Sequence, residues 1–369
     1  MKTLFLGVAL ALLPCGAVGC APGAARPAPA PGGDAQAAGP FLYVANQEAA
    51  AVTVIDLSTN AVAEIIDLEA MGYGANAKPH HIVVEPDGSH WYVSLIAANQ
   101  VLKFDGENEL VASVEFERPG LLALSPTENW LFVGRSMAAV DPPQRIGRID
   151  RETMAVEEFD VFIPRPHALA VHPGGEWVYT GSLGENTVVT LDAEDGEAEL
   201  LRLPGSGHHP HVLVQYALSP DGGTLVATSE MTAKLLVFDL SDPSSPALVR
   251  EVDVGARPWH PSYSADGREV WLGNLGENTV TVVDTETWTV SDVIAGEGLA
   301  QPHGSAIPAD GRHVYVANRN EQGDYAAAGA GGDRPAGSVV VIDRQTRAIV
   351  AVIDTPPYAA GIGLASSPR

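Results

Sequence analysis

Histidines at a fixed phase of a recurring pattern are the residues of this chain best suited to chemistry. The pattern is a proline, one or two histidines and a short apolar run, and it returns at intervals of about 45 residues or twice that. Of the 11 histidines, eight lie at or just before the start of such a run. Neutral imidazole is the commonest metal ligand and suits copper, zinc, iron and nickel. The sequence therefore predicts a transition-metal site, with copper favoured, whose candidate ligands are His80, His81, His167, His209, His211, His260 and His303.

Other residues near this phase are candidates for contacting a small ligand or cofactor. Trp259 occupies the histidine phase of its own repeat and could stack on a ligand. Arg135 and Arg319 open two long stretches, 135–148 and 319–338, and could grip an anion or a carboxylate. For any single histidine, an alternative is that a polar residue merely lines a wet channel.

The elements that position these residues are seven similar units of four short strands. Each unit opens on a strand such as Phe41-Leu-Tyr-Val-Ala-Asn46, rich in β-branched and aromatic residues. A second strand such as Val52-Thr-Val-Ile-Asp56, a polar turn, a third strand and the Pro-His run follow. This organisation predicts an all-β, seven-bladed β-propeller with four antiparallel strands per blade. The end of the chain, around 361–368, reads as the missing strand of the first blade, so its pairing there should close the ring.

The segments Tyr43-Val-Ala-Asn46 and Tyr315-Val-Ala-Asn318, each followed by Val-x-Val-Ile-Asp, resemble the YVTN-type β-propeller repeat. The resemblance covers residues 41–369. It implies the propeller fold, whereas its functions range over surface proteins, ligand binders and relatives of cofactor-bearing enzymes. The channel histidines are also similar in style to those of propeller copper enzymes such as the nitrous oxide reductases, and to haem-d1-type propellers, in which a channel histidine would be an axial ligand.

The first 40 residues predict export. Lys2 and the apolar stretch 4–13 are typical of a signal peptide, over residues 1–19, and are too short for a membrane span. Ala17-Val-Gly-Cys20 resembles a lipobox, which would make Cys20 a lipidation site, and ordinary signal cleavage nearby is the alternative. The Ala/Pro/Gly-rich residues 20–40 predict a tether, and residues 41–369 form the propeller. We expect a monomer in the cell envelope, facing the periplasm or the cell surface, with membrane attachment only through this N-terminal lipid.

Composition narrows the class of partner. The formal net charge of −25 disfavours nucleic acid and anionic membrane surfaces, because these require basic patches. The only two cysteines are Cys15 and Cys20, so the propeller region has no thiolate ligand, cysteine nucleophile or disulfide. No nucleophile elbow, phosphate loop or dinucleotide fingerprint occurs.

Three functional hypotheses follow. The leading one is binding of a transition metal or metal cofactor by channel-rim histidines, in a binding, delivery or redox role. The second is a metal-free scaffold for protein interaction in the cell envelope, with an envelope protein as its partner. The third is a lactonase-like hydrolase, because such sites use scattered polar residues on the same face of a propeller. Whether the protein is an enzyme is left open.

Overall fold

The protein folds as a ring of seven four-stranded antiparallel sheets. The computed structural model describes residues 41–205, 210–327 and 333–364, so the predicted signal peptide, the predicted tether and Cys20 lie outside the described part. Within the described residues, regular structure is almost entirely β-strand, with one short π-helical turn at Glu69–Tyr73. No helix among them is long and apolar enough to cross a membrane.

The strands follow one another in chain order, and each blade is one sheet, written here from the innermost to the outermost strand. Blade 1 comprises β28 (Ala359–Leu364), β1 (Phe41–Asn46), β2 (Ala51–Asp56) and β3 (Ala61–Asp67). Blade 2 comprises β4 (Pro79–Val84), β5 (His90–Leu95), β6 (Gln100–Asp105) and β7 (Leu110–Glu115). Blade 3 comprises β8 (Pro119–Leu124), β9 (Trp130–Arg135), β10 (Arg145–Asp150) and β11 (Val156–Asp160). Blade 4 comprises β12 (Pro166–Val171), β13 (Trp177–Ser182), β14 (Thr187–Asp192) and β15 (Ala198–Arg202).

The remaining three blades repeat the plan. Blade 5 comprises β16 (Leu213–Leu218), β17 (Thr224–Ser229), β18 (Lys234–Asp239) and β19 (Ala247–Asp253). Blade 6 comprises β20 (Ser262–Tyr263), β21 (Glu269–Asn274), β22 (Thr279–Asp284) and β23 (Thr289–Ala295). Blade 7 comprises β24 (Pro302–Ala306), β25 (His313–Asn318), β26 (Gly337–Asp343) and β27 (Ile349–Thr355). The predicted fold class is therefore confirmed.

The predicted closure of the ring is also confirmed. β28, the last strand of the chain, pairs antiparallel with β1, with Leu364 opposite Leu42 and Ile362 opposite Val44. This pairing supplies blade 1 with its innermost strand and removes an open sheet edge. The two ends of the described chain are thereby joined in one sheet.

Burial falls from the axis outwards. The second strands of the blades, such as β1 and β25, are almost wholly buried, whereas the outermost strands, such as β3, expose most of their residues. Aromatic side chains fill the gaps between blades: Trp91 of blade 2 stacks on Tyr43 of blade 1 at 4.8 Å between ring centroids, and on Phe104 at 4.1 Å. These contacts fix the blades rigidly around the central channel, which the innermost strands line.

Candidate functional site: a histidine cluster in the central channel

The Pro-His segments lie where the chain enters an innermost strand. The residue before each proline adopts a left-handed backbone conformation, with φ between 53° and 56° at Lys78, Arg165, Arg257 and Gln301. Non-glycine residues rarely adopt this conformation, so its return in each of these blades marks a recurring bend of the repeat rather than an accident of one loop. The bend turns the next side chains towards the axis.

Five histidines from four blades meet in the channel. The ring centroids of His80 and His303 are 5.6 Å apart, and those of His80 and His167 are 6.3 Å apart. His260 lies 4.6 Å from His303 and 5.8 Å from His81. Blades 2, 4, 6 and 7 therefore bring together side chains that are up to 223 residues apart in sequence, from His80 to His303. These five residues are called the histidine cluster below.

Burial keeps the histidine cluster neutral. None of the five residues is more than 8% exposed. Desolvation, with a smaller effect from His167, lowers the pKa of His81 to about 3, and desolvation lowers that of His167 to about 4. The pKa values of His80, His260 and His303 also fall well below 6.5, first through desolvation and then through nearby positive groups. At neutral pH these rings therefore offer lone pairs and N–H groups rather than positive charge.

Hydrogen bonds set which nitrogen carries the proton in three of the rings. His167 Nδ1 lies 2.7 Å from the carbonyl oxygen of Arg135, and His80 Nδ1 lies 3.1 Å from Gln47 Oε1. Both partners are acceptors, so both Nδ1 atoms donate, and each Nε2 carries a lone pair. His81 is the reverse case, because its Nδ1 accepts the backbone N–H of Leu122 at 3.2 Å and its Nε2 must carry the proton.

Several buried nitrogens in the cluster have no hydrogen-bond partner among the described protein groups. They are Nε2 of His80, His167 and His260, and both ring nitrogens of His303. Buried polar atoms are rarely left unpaired, and each such atom costs about 1–3 kcal/mol. The cluster therefore has unused capacity to bind a ligand.

The cluster is not a preformed three-ligand metal site. Across residues 41–205, 210–327 and 333–364, no three His, Cys, Asp or Glu side chains are placed so as to hold a metal ion. The spacing of ring pairs is nevertheless of the right size. A metal bonded to nitrogen at about 2 Å lies about 3.2 Å from the ring centroid, so two rings sharing one ion are about 5 Å apart at a tetrahedral angle and about 6.4 Å apart on opposite sides of the ion.

Trp259 and Arg319, both predicted as ligand contacts, lie beside the cluster. The Trp259 ring is 4.4 Å from that of His303, and the Arg319 guanidinium carbon is 4.1 Å from the Trp259 ring centroid. Tyr358 lies on the same guanidinium at 5.0 Å. The side chains of Trp259 and Arg319 also have unpaired buried nitrogens, Nε1 and Nε respectively.

A loop from blade 3 covers this group. Met137, between β9 and β10, packs against a small apolar cluster formed by Val214, Trp259 and Leu275 of blades 5 and 6. Arg165 of blade 4 donates a hydrogen bond to the Met137 carbonyl oxygen at 2.7 Å. The loop therefore reaches across the mouth of the channel and packs next to Trp259.

On the other side of the cluster, the channel widens into a cavity of about 800 Å³. His81 lies on its wall together with residues from the innermost strands of blades 1, 2, 3, 5, 6 and 7, including Leu124, Leu218, Ser262 and Ser305. The cavity is large enough for a small molecule, and the lining is mostly apolar with a few hydroxyl groups. A ligand in it would meet the histidine cluster at one end.

Two predicted site residues do not join the cluster, and a third lies outside the described residues. His211 is buried, but its ring is used by Ser229, Thr232 and the carbonyl oxygen of Pro204. His209 falls in the undescribed segment 206–209. Arg135 was predicted to grip a ligand, but its guanidinium is bonded to groups within blade 3 instead.

The Arg135 side chain is a structural brace. It is fully buried, forms an ion pair with Glu158 at 2.7 Å, donates to the carbonyl oxygens of Glu117 and Arg145, and lies over the Phe116 ring. Its three nitrogens therefore all have partners, and none is left for a ligand. The sequence could not separate Arg135 from Arg319, because both open a long stretch after the second strand of a blade.

Replacing Arg135 with methionine should lower the free energy of unfolding by about 3 kcal/mol, because two carbonyl oxygens and the Glu158 carboxylate lose their partner. Urea unfolding measures the loss. Arg135→Lys should recover less than half of it, since one ammonium group cannot reach all three acceptors. A loss below about 0.5 kcal/mol in Arg135→Met would contradict the bracing role.

Sequence reasoning missed the basic residues that precede the innermost strands. Lys78, Arg118, Arg165 and Arg257 stand directly before the prolines that open or precede these strands in blades 2, 3, 4 and 6. The signal was present as a recurring Lys/Arg-Pro pair. This recurring pair places positively charged residues around the channel mouth of a strongly acidic protein.

The fold and the site define a seven-bladed β-propeller with a buried histidine cluster across its central channel. Within it, residues 230–254, which include β18 and β19, match the LVIVD repeat. A functionally unknown protein from Desulfotomaculum acetoxidans is 14% identical and superposes with a TM-score of 0.69, over 89% of this chain and 100% of that chain. Hydrazine synthase from Kuenenia stuttgartiensis is 17% identical, with a TM-score of 0.61 over 76% of this chain and 87% of that chain. No curated protein matches the sequence. At these identities the structural similarities show the fold alone.

Proposed function

We propose that this propeller binds a transition-metal ion, with copper favoured, at the histidine cluster. The observation that carries the proposal is the set of unpaired, buried imidazole nitrogens contributed by four blades. A group of neutral imidazoles with free lone pairs is the donor set that copper and zinc prefer. In the divalent series copper binds such nitrogen donors most tightly.

His80 and His167 are the first ligands we assign. Each donates its Nδ1–H to an oxygen acceptor, Gln47 Oε1 or the Arg135 carbonyl, and leaves the Nε2 lone pair free. Metal-ligating histidines usually make this kind of outer hydrogen bond, which fixes the ring and raises its basicity. The separation of 6.3 Å between their ring centroids fits two imidazoles on opposite sides of one ion.

His303 is the third ligand we assign, after a rotation of its ring. Its centroid is 5.6 Å from that of His80, and both its nitrogens are unpaired, so the rotation breaks no hydrogen bond to a described protein group. His260 lies next in line and could take the same role. His81 is excluded as long as its Nδ1 accepts the Leu122 N–H, because the remaining nitrogen is protonated.

Copper titration of the full-length protein tests this assignment. All proteins carry Cys15→Ser and Cys20→Ser, so that thiols do not bind the probe, and are treated with a chelator first. We expect close to one tightly bound copper ion per chain. In the double variant His80→Asn/His167→Asn the affinity should fall by at least 100-fold, because asparagine keeps the amide donor but lacks the Nε2 lone pair.

The matched control is His313→Asn, which changes a histidine at the start of β25 that is outside the cluster. It should bind copper as tightly as the parent protein. Equal copper affinity in the control and in the double variant would overturn the proposal. Circular dichroism establishes that the variants are folded before affinities are compared.

We propose in addition that the protein is exported and anchored by a lipid at Cys20, supported by the signal-like and tether-like composition of residues 1–40. A YVTN-type relationship and a similarity in style to copper- or haem-bearing propellers remain proposals on the sequence motifs. The interaction-scaffold and lactonase hypotheses also remain predictions from the sequence.

A further inference from the structure

The Arg319 side chain carries a positive charge that none of the described carboxylates pairs with. Within the described part of the chain, Arg319 takes part in none of the ion pairs, and its Nε has no hydrogen-bond partner. Glu230 lies nearby but is paired with Arg257 at 2.7 Å, and Glu321 acts only from beyond ion-pair distance. The residue retains some exposed surface, but desolvation is still the main influence on its guanidinium and lowers its pKa.

Two more unpaired donors lie beside this guanidinium. Trp259 is 3% exposed and its indole Nε1–H has no partner among the described groups; His303 is 1% exposed and has two unpaired ring nitrogens, one of which carries a proton. The ring of Trp259 is in contact with both Arg319 and His303, at 4.1 Å and 4.4 Å. The Trp259 ring thus brings together three side chains that carry unpaired N–H donors, and no described carboxylate accepts from any of them.

The surroundings favour the entry of an anion. Lys78, Arg118, Arg165 and Arg257 stand around the channel mouth, one at the start of each of four blades. Lys78 and Arg257 are partly neutralised by Glu48 and Glu230, but Arg118 and Arg165 take part in none of the ion pairs of the described residues. Positive charges that no described carboxylate pairs with would attract an anion to this end of the channel, although the net charge of the protein is −25.

We propose that Arg319, Trp259 and His303 form a binding site for a small carboxylate, and that this site does not depend on whether a metal is bound at His80 and His167. The rings of Trp259 and Tyr358 lie on the guanidinium, so its free hydrogen bonds lie in its own plane. A carboxylate matches this geometry because its two oxygens accept parallel N–H bonds from an arginine. Its single negative charge also balances the single charge of Arg319.

A carboxylate bound at this site would also favour binding of a metal ion at the neighbouring histidines. A carboxylate at Arg319 would lie beside His303, the third ligand assigned above, and would offset the positive charge that otherwise opposes binding of a cation there. The ligand class is therefore a small carboxylic acid whose one end is held by Arg319 and whose other end faces the channel. The sequence suggested this role equally for Arg135 and Arg319. The structure distinguishes them, because the guanidinium of Arg135 is already bonded within blade 3.

Binding of acetate to the chelator-treated, full-length protein tests the site, with tryptophan fluorescence and calorimetry as readouts. We expect saturable acetate binding by the parent protein and at least a 10-fold weaker affinity in Arg319→Gln, because a hydrogen bond to a charged group is lost. Trp259→Phe keeps the ring stacking but removes one donor, and should weaken binding by about 3- to 10-fold. The control Arg312→Gln removes an exposed arginine of the turn between β24 and β25, which is outside the site, and should change the affinity less than 2-fold.

The outcomes separate the alternatives. No acetate binding by the folded parent protein, or equal binding by Arg319→Gln, would overturn the site, and binding of inorganic phosphate without binding of acetate would overturn the carboxylate assignment. Should Arg319→Gln not fold, Arg319→Lys retains the charge without the planar fork and must still bind acetate more weakly than the parent. Because no metal is present, a failure of copper binding in the His80/His167 test leaves this result unaffected.

Discussion

A chain that ends at Tyr358 should not form a cooperatively folded propeller. The deletion removes β28, whose residues pair with β1 from Leu42 to Asn46 and pack on the innermost strands β4 and β24. It removes the buried side chains of Ala359, Ala360 and Ile362 and so exposes the residues packed against them. It also leaves the inner edge of β1 without hydrogen-bond partners. The lost burial and hydrogen bonds amount to about 10 kcal/mol, which is comparable to the whole stability of a typical domain.

The matched control is a chain that ends at Leu364, which lacks residues 365–369 but keeps every described pair of β28. Near-ultraviolet circular dichroism and urea unfolding compare the two. We expect a cooperative transition at the parent midpoint for the control and none for the chain ending at Tyr358. An unchanged urea midpoint for the shorter chain would show that ring closure contributes little.

The innermost strands of neighbouring blades approach so closely that two positions on them have room only for glycine. A Cβ atom added at Gly361 would lie only 2.1 Å from the carbonyl oxygen of His80, and one added at Gly304 would lie 2.6 Å from the carbonyl oxygen of Ala360. Neighbouring innermost strands therefore approach through glycine at the level of the histidine cluster. The closing strand thus supports the cluster as well as the ring.

The fold was predictable because every level of the sequence repeats the same information. Each strand such as Phe41–Asn46 has a strand-like composition, each turn has turn residues, and the end of the chain supplies what its beginning lacks. The convergence of His80, His167 and His303 followed from the same repeat, because equal phase in a closed ring means equal distance from the axis. His260 follows one residue later in its repeat, in phase with His81. His211 does not join the cluster, because its blade has extra residues before the innermost strand. Its imidazole ring is instead hydrogen-bonded to Ser229 and Thr232.

The chemical state of the cluster could not be predicted from the repeat. The proton position on His80 depends on Gln47, that on His167 on a carbonyl of blade 3, and that on His81 on the Leu122 amide. These partners come from neighbouring blades and do not share the phase of the histidines. Arg135 and Arg319 differ for the same reason, since Glu158 and Phe116 surround the first whereas Trp259 and Tyr358 stack on the second.

The metal-free protein should lose stability steeply as the pH falls from 6.5 to 5. In the folded state the pKa of His167 is about 4 and that of His81 about 3, and His80, His260 and His303 also lie well below 6.5. In the unfolded chain all five have pKa values near 6.5, so below that pH the unfolded state binds more protons and is favoured. Each histidine then costs about 1.4 kcal/mol per pH unit until its folded pKa is reached, whereas above pH 6.5 the cost vanishes. Several such groups acting together make this loss large compared with the stability of a typical domain.

Urea unfolding of the chelator-treated protein between pH 7.5 and 5 measures this dependence. The window lies above the ordinary pKa values of aspartate and glutamate, so the loss reports on the histidines rather than on the carboxylates. His167→Asn keeps a donor for the Arg135 carbonyl but cannot gain a proton, and should reduce the slope by about 1.4 kcal/mol per pH unit. The same slope in His167→Asn and in the parent would mean that His167 is already solvated or protonated in the folded state. A reduced slope would instead establish that the channel holds its histidines neutral, which is the condition that both the copper site and the carboxylate site require.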